Sequence, residues 1–179
     1  LITFFIGKSQ MALESLAVLP VVSSFVFLFR GVGLSFQEAA ITMLGSNKEN
    51  DKAIYKFAAV LGLTLASALI ITAITPLSKL WFSKVSGLSA ELTGLALTPL
   101  LIMGLFPAST VLISMQRAIL VKDGQTSPIT NATIIEVLTI ISVLYISIIH
   151  LSAVGVVAAA SAFLSGRLAA NTYLYFKTR

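Results

Sequence analysis

Arg30 lies inside one of the most apolar stretches of the chain. The fourteen residues from Leu16 to Phe29 carry no charge, and the next charged residue after Arg30 is Glu38. A helix rises about 1.5 Å per residue, so Arg30 would lie roughly 20 Å from the Leu16 end, inside a hydrocarbon core about 30 Å thick. An arginine at that depth faces a bundle interior, a wet cavity or a charged partner. The sequence therefore indicates a membrane protein with a polar interior, which suggests transport.

Polar residues on the same segment form a candidate cavity face. Arg30 and Gln37 are seven residues apart and nearly share one helix face, whereas Glu38 lies about 80° further round the helix. In one interpretation, Arg30 meets an anionic substrate and Glu38 takes part in ion or proton coupling. In the other, Arg30 pairs with a carboxylate and Glu38 extends toward the membrane surface.

Two further charges, Glu136 and Arg167, interrupt the last two apolar segments. Counted from the turn near Leu151, Glu136 is fifteen residues back and Arg167 is sixteen residues forward. On neighbouring antiparallel helices the two side chains would lie at similar depth. Because isolated charges in a membrane are costly, we expect an ion pair between them, with Arg30 as a competing partner for Glu136. Glu136 is also a candidate for ion coupling.

Composition narrows the class of protein. The chain of 179 residues is 57% hydrophobic and 11% charged, with a mean hydropathy of +0.98, as a membrane bundle requires. With no cysteine and one histidine, we predict no metal site and no other cofactor. The net charge of +5 is interpreted as loop charge that orients the helices. The sequence has no basic run with interleaved aromatic residues, which a nucleic-acid-binding protein would be expected to have. No pair of residues supports an intramembrane enzyme, so we predict none.

The elements that must position these charges are transmembrane helices. Five apolar stretches meet the length of about 20 residues that a spanning helix needs. They cover residues 16–44, 53–75, 92–115, 129–149 and 152–176, and residues 1–6 are interpreted as the end of a further helix whose beginning is missing. We therefore predict an all-α, polytopic bundle in which residues 1–179 form a single transmembrane lobe. The protein is expected in the cell membrane, in contact with lipid.

Two prolines lie within the third predicted span. Pro99 and Pro107 each remove a backbone donor, so the helix should kink there, either as a static bend or as a moving hinge. Small residues at four-residue spacing in the last span, such as Ala162 and Gly166, predict close helix packing. The segment from Pro76 to Glu91 mixes aromatic residues with lysines, which fits a stretch lying at the membrane surface.

Orientation follows from the positive charges at the two ends of the bundle. One end combines the 46–52 loop, the 117–128 loop and the C-terminus, and its lysines and arginines are Lys48, Lys52, Lys56, Arg117, Lys122, Lys177 and Arg179. The other end has Lys8, Lys79 and Lys84. Positive charge favours the cytoplasmic side, so the first end, including the C-terminus, is predicted to be cytoplasmic.

The order of these parts resembles the MATE multidrug exporters and the larger flippase superfamily to which they belong. The stretch FFIGKSQMALESLAV is followed by a long helix with GVGLSFQEAAITMLGSNKEND, in which Gly33, Leu34, Ser35 and Ala39 approximate a family element. The segment 116–120, continued by Gly124, Thr126 and Pro128, resembles the family's turn between its fourth and fifth helices. The similarity covers nearly the whole chain.

The resemblance implies a secondary exporter or flippase in which two lobes of six helices alternate access to a central cavity. This chain would supply one lobe, with a preference for the C-terminal one, and its partner would be the missing other lobe. The coupling ion would be H⁺ or Na⁺, and only Glu136, on the fifth helix of the lobe, is a candidate for the coupling carboxylate that the family often has on its first, fourth or fifth helix. Arg30 departs from typical drug exporters and fits members that move anionic or lipid-linked substrates.

A different class of function also accommodates Arg30. In a pore or channel subunit, Arg30 would line the lumen as part of a charged ring. A glycine-rich filter or a clear oligomer seam would favour that alternative, and the sequence contains neither. A cation-coupled exporter of a drug-like, anionic or lipid-linked substrate is therefore the leading prediction.

Overall fold

The computed structural model describes residues 2–44 and 48–178, and these residues form helices joined by short turns. Leu1 of the predicted truncated helix, residues 45–47 of the first charged loop and Arg179 lie outside the described residues. The α-helices are α1 (Ile2–Ile6), α2 (Ala12–Met43), α3 (Lys48–Ile74), α4 (Pro76–Leu80), α5 (Ala90–Ile102), α6 (Phe106–Lys122), α7 (Ser127–Tyr145) and α8 (Gly155–Lys177). Shorter helical turns are π-helical at Trp81–Val85 and Ile146–His150, and 3₁₀ at Met103–Leu105. No strand occurs in the described ranges.

Four of these helices or helix pairs are long and apolar enough to cross a membrane. They are Ala12–Met43, Asp51–Ile74, Ala90–Lys122 and Ser127–His150. Their apolar side chains are widely exposed on the outside of the bundle, for example Leu63 and Leu138. Surfaces with so many exposed apolar side chains are typical of helices in contact with lipid, and they are unfavourable in water. The fold is therefore that of a helical membrane protein.

The fifth predicted span corresponds to α8, which is not among these four segments. Its 23 residues include Arg167, Asn171 and many alanines and glycines, which lower its apolarity. The helix packs against α2, α5, α6 and α7, and small residues such as Ala159 and Gly166 are buried in these contacts. A helix surrounded by protein needs less apolar surface than one surrounded by lipid.

The third predicted span is broken at its centre. Helix α5 ends at Ile102, a single 3₁₀ turn follows, and α6 continues to Lys122, seven residues beyond the predicted end. Pro99 lies inside α5, and Pro107 occupies the first turn of α6, where its missing N–H costs nothing. The two prolines therefore flank a change from α-helix to 3₁₀-helix, and the predicted kink at this place stays a prediction.

Turn residues explain where the other elements begin and end. Ser89 precedes α5 and accepts a hydrogen bond from the Leu92 N–H at 3.3 Å, so it caps the helix. Gly124 follows Asp123 and has a φ of +68°, which glycine adopts without strain. In the segment between α3 and α5, Phe82 is fully buried while Lys79 and Lys84 are exposed. That pattern is amphipathic, as the sequence predicts for a surface segment.

Helix ends group as expected from the sequence. The end of α2, the start of α3 and the end of α6 share one apolar cluster that contains Leu44, Ile54 and Ala118. At the other end of the bundle the Gly155 N–H donates to the Gln10 carbonyl at 3.2 Å, which joins the turn before α2 to the turn before α8. The helices therefore run alternately up and down.

Candidate functional site

The predicted contact between Glu136 and Arg167 is present. Arg167 Nη2 lies 3.0 Å from Glu136 Oε1, and the two side chains are 11% and 14% exposed. Both residues lie near the middle of their helices, α8 and α7. Gly166 brings the two helices together at this level, because a Cβ there would lie 2.9 Å from the Glu136 carbonyl oxygen. The prediction from matched depth is confirmed.

Arg30 reaches the same place from α2. A cavity of ≈ 330 Å³ contains Arg30, Glu136 and Arg167 in its wall. Among the described side chains, Arg30 forms no ion pair, so Glu136 pairs with Arg167 and not with its competitor. The three charged residues come from three helices and meet in one cavity.

Phe106 holds the two arginines together. Its ring centre lies 4.5 Å from Arg30 Cζ and 5.3 Å from Arg167 Cζ, within the range of a cation–π interaction. Phe106 is the first residue of α6 and directly follows the 3₁₀ turn. Its ring therefore contacts the two arginines at the point where the third span changes from α5 to α6. Phe106 was not among the site residues predicted from the sequence. The signal available in the sequence was an aromatic residue directly before a proline in mid-span.

Both guanidinium groups retain unused hydrogen-bond donors. The Nε atoms of Arg30 and Arg167 are buried and have no partner among the described residues. A guanidinium carries five N–H donors, and a planar edge of it matches an oxyanion. With two arginines and one glutamate, the group formed by Arg30, Phe106, Glu136 and Arg167 has a formal charge of +1. We call this group the charged cluster.

The other two predicted cavity residues do not join the charged cluster. Gln37 is half-buried on α2, two helical turns from Arg30, and it does not line the ≈ 330 Å³ cavity. Glu38 is exposed. The prediction that Gln37 and Glu38 line the same cavity as Arg30 is therefore wrong for the ≈ 330 Å³ cavity.

A second polar site lies between α6 and α8. Gln116 Nε2 donates to the backbone carbonyl of Asn171 at 3.0 Å, and Asn171 Nδ2 donates to the backbone carbonyl of Ser109 at 3.0 Å. Both amide side chains are 4% exposed. We call this pair the amide seam. Neither amide was among the site residues predicted from the sequence, although two amides inside otherwise apolar helices indicate a polar contact between those helices.

Other features of the described residues add no chemistry. A larger cavity of ≈ 550 Å³ between α3 and α6 has no charged residue in its wall. The described part of the chain has no group of three or more histidine, aspartate or glutamate residues that could hold a metal. His150 is exposed at the end of a helical turn, beside Tyr145.

Fold and charges together define a helical membrane protein with a charged interior. Comparisons of the chain with protein-family models, with curated proteins and with solved structures found no match. The similarity to MATE exporters therefore rests on the sequence motifs and remains a prediction.

Proposed function

We propose that the chain is part of a secondary active exporter or flippase of the MATE-like superfamily. It would work by cation-coupled antiport with alternating access, and it would move a drug-like, anionic or lipid-linked substrate across the cytoplasmic membrane. The observation that supports this proposal is the charged cluster, which lines a cavity near the middle of α2, α7 and α8. Charges at that depth are expensive and mark substrate or ion pathways in membrane proteins.

The broken third span supports a moving part at this site. Transporters commonly form their sites at interrupted helices near the bilayer midplane. Here the interruption is the turn Met103–Leu105, and the next residue contacts both arginines. In this proposal α5 and α6 change their relative angle as the cavity opens to one side or the other, and Phe106 transmits that change to Arg30 and Arg167.

The proposed architecture counts α8 as the fifth spanning helix. The five helices would form one lobe, which would pair with a second lobe of the same exporter around the substrate cavity. The end with the greater number of lysines and arginines, including the C-terminus, would face the cytoplasm. Single cysteines at Ser86 and Gln125 test this orientation in intact cells. Labelling of Ser86→Cys alone by an impermeant reagent supports it, and labelling of Gln125→Cys from outside contradicts it.

Transport assays with Arg30 variants test the function. The protein would be reconstituted in proteoliposomes with an H⁺ or Na⁺ gradient and offered a fluorescent organic cation, a fluorescent organic anion and a fluorescent polyprenyl phosphate. We expect Arg30→Ala to abolish transport with near-normal thermal stability, and Arg30→Lys to be intermediate because it keeps charge without the planar edge. Lys84→Ala removes an exposed cation and serves as the control.

Three outcomes would count against the proposal. Unchanged transport by Arg30→Ala would show that Arg30 is no substrate ligand. Loss of folding together with transport in this variant would indicate that Arg30 is structural. Single-channel currents in planar bilayers, without exchange against an ion gradient, would favour the pore subunit with Arg30 in its lumen.

A further inference from the structure

We propose that the charged cluster is a binding site for an oxyanion, and that the Glu136 carboxylate takes the place of this ligand when none is bound. A phosphate-type group would bind between Arg30 and Arg167 and compete with the Glu136 carboxylate for Arg167. This inference rests on the proposed transport function, because it names the chemical class of the substrate group that the cavity accepts.

Hydrogen-bond donors give the first argument. Arg167 donates from Nη2 to one carboxylate oxygen, and its buried Nε has no partner among the described residues. Arg30 also has a buried Nε without a partner there. Oxyanions accept pairs of parallel N–H bonds from an arginine edge, which makes such contacts stronger than contacts with a point charge. Arg30 and Arg167 both line the cavity, and each leaves part of its donor edge without an acceptor among the described residues.

Geometry gives the second argument. Both guanidinium carbons lie over or beside one ring, that of Phe106, at 4.5 and 5.3 Å. An aromatic ring contacts the face of a guanidinium and leaves its N–H edge free to donate. The same ring therefore fixes two edges in one cavity of ≈ 330 Å³, a volume at the lower end of small-molecule sites.

Charge gives the third argument. The charged cluster has a formal charge of +1, and Arg117 on α6 adds a further positive charge close enough to interact with Arg167. A cationic substrate would be repelled from this cavity. An anion would be attracted, but it would meet the Glu136 carboxylate on the guanidinium it needs. The carboxylate is therefore a competitor that must leave Arg167 when an oxyanion binds to both arginines.

Equilibrium binding to the purified protein in detergent tests the proposal. The probes are sodium sulfate and sodium phosphate, measured by calorimetry and by thermal stabilisation against sodium chloride at equal ionic strength. We expect Glu136→Gln to bind sulfate at least about tenfold more tightly than the unsubstituted protein, since a competing charged hydrogen bond is removed. Arg30→Gln and Arg167→Gln should each weaken binding at least about tenfold, and Arg30→Lys should weaken it less. Glu91→Gln, an exposed carboxylate on α5, is the matched control.

Several results would overturn this inference. Unchanged sulfate affinity in Glu136→Gln would show that Glu136 does not occupy the site. Unchanged affinity in a folded Arg30→Gln variant, or equal stabilisation by chloride and sulfate, would show that no oxyanion site exists.

The source of the oxyanion requires a second comparison. Inorganic phosphate represents a soluble ligand, and dodecyl phosphate in the same micelles represents a lipid headgroup. Tighter binding of dodecyl phosphate, sensitive to the same arginine variants, assigns the site to a headgroup, whereas equal affinity assigns it to a free anion. Oxyanion binding without any transport would contradict only the proposed function, and transport without oxyanion binding would contradict only this inference.

Discussion

The charged cluster and the amide seam lie one helical turn apart on α8, yet they satisfy their polar groups in opposite ways. In the amide seam, Gln116 and Asn171 each donate to a backbone carbonyl, so the bonds are tied to the helices themselves. In the charged cluster, Glu136 and Arg167 bond through side chains only. Both sites keep buried atoms without partners among the described residues, namely Gln116 Oε1 and Asn171 Oδ1 in the seam and the Nε atoms of Arg30 and Arg167 in the cluster. Side-chain partners can exchange without moving a helix. The comparison assigns helix packing to the seam and ligand exchange to the cluster.

Differences in surroundings support this assignment. The amide side chains are 4% exposed and lie inside the contact between α6 and α8. Gln116 also borders the ≈ 550 Å³ cavity, whose wall has no charged residue, whereas the ion pair lines the ≈ 330 Å³ cavity together with Arg30, at 11% and 14% exposure. Hydrogen bonds to backbone tie the amides to the helix packing, whereas a cavity wall with two guanidinium groups can bind an anionic ligand. Substitutions at the two sites should therefore separate stability from binding.

The largest effect is expected from Glu136→Gln. This change removes the one carboxylate of the charged cluster and leaves Arg30 and Arg167 beside the same ring with no counter-ion. Breaking a buried ion pair typically costs about 3–5 kcal/mol, and we expect a loss of that order in the free energy of unfolding. Denaturant titration in micelles measures it. Sulfate should restore part of the loss, because it replaces the missing negative charge.

The matched control for this prediction is Glu91→Gln, which neutralises an exposed carboxylate in the first turn of α5. It should cost less than about 1 kcal/mol. Equal losses in the two variants would show that the Glu136 carboxylate contributes no special stabilisation. A loss in Glu136→Gln that sulfate does not reduce would weaken the distinction between cluster and seam.

A smaller effect is expected from Asn171→Leu at the amide seam. Leucine fills a similar volume but removes the hydrogen bond to the Ser109 carbonyl, which then lies buried without that donor. We expect a loss of about 1–3 kcal/mol in the free energy of unfolding and no change in sulfate affinity. Thr172→Leu, at the neighbouring exposed position, is the control. A change in sulfate affinity of Asn171→Leu would show that the two sites are not separate.

Counting residues from the turn predicted the ion pair, because the depth of a residue in a helical bundle follows from its distance along the helix from that turn. Glu136 and Arg167 are nearly equidistant from Leu151, and a tight antiparallel turn places equal distances at equal depth. The same counting placed most span boundaries to within a few residues, for example at Leu16 where α2 begins at Ala12, but it ended the third span seven residues before Lys122. It could not show that α8 lies inside the bundle, because lipid and protein are both apolar surroundings.

Contacts across several helices were beyond this counting. Phe106 meets Arg30 and Arg167 because a break in one helix turns its ring toward two others, and that direction depends on the packing of all of them. Gln37 illustrates the opposite error. Its seven-residue spacing from Arg30 predicted a place in the same cavity, but Gln37 does not line that cavity. Sequence spacing gives the face and depth of a polar residue, whereas the extent of a cavity depends on every surrounding side chain.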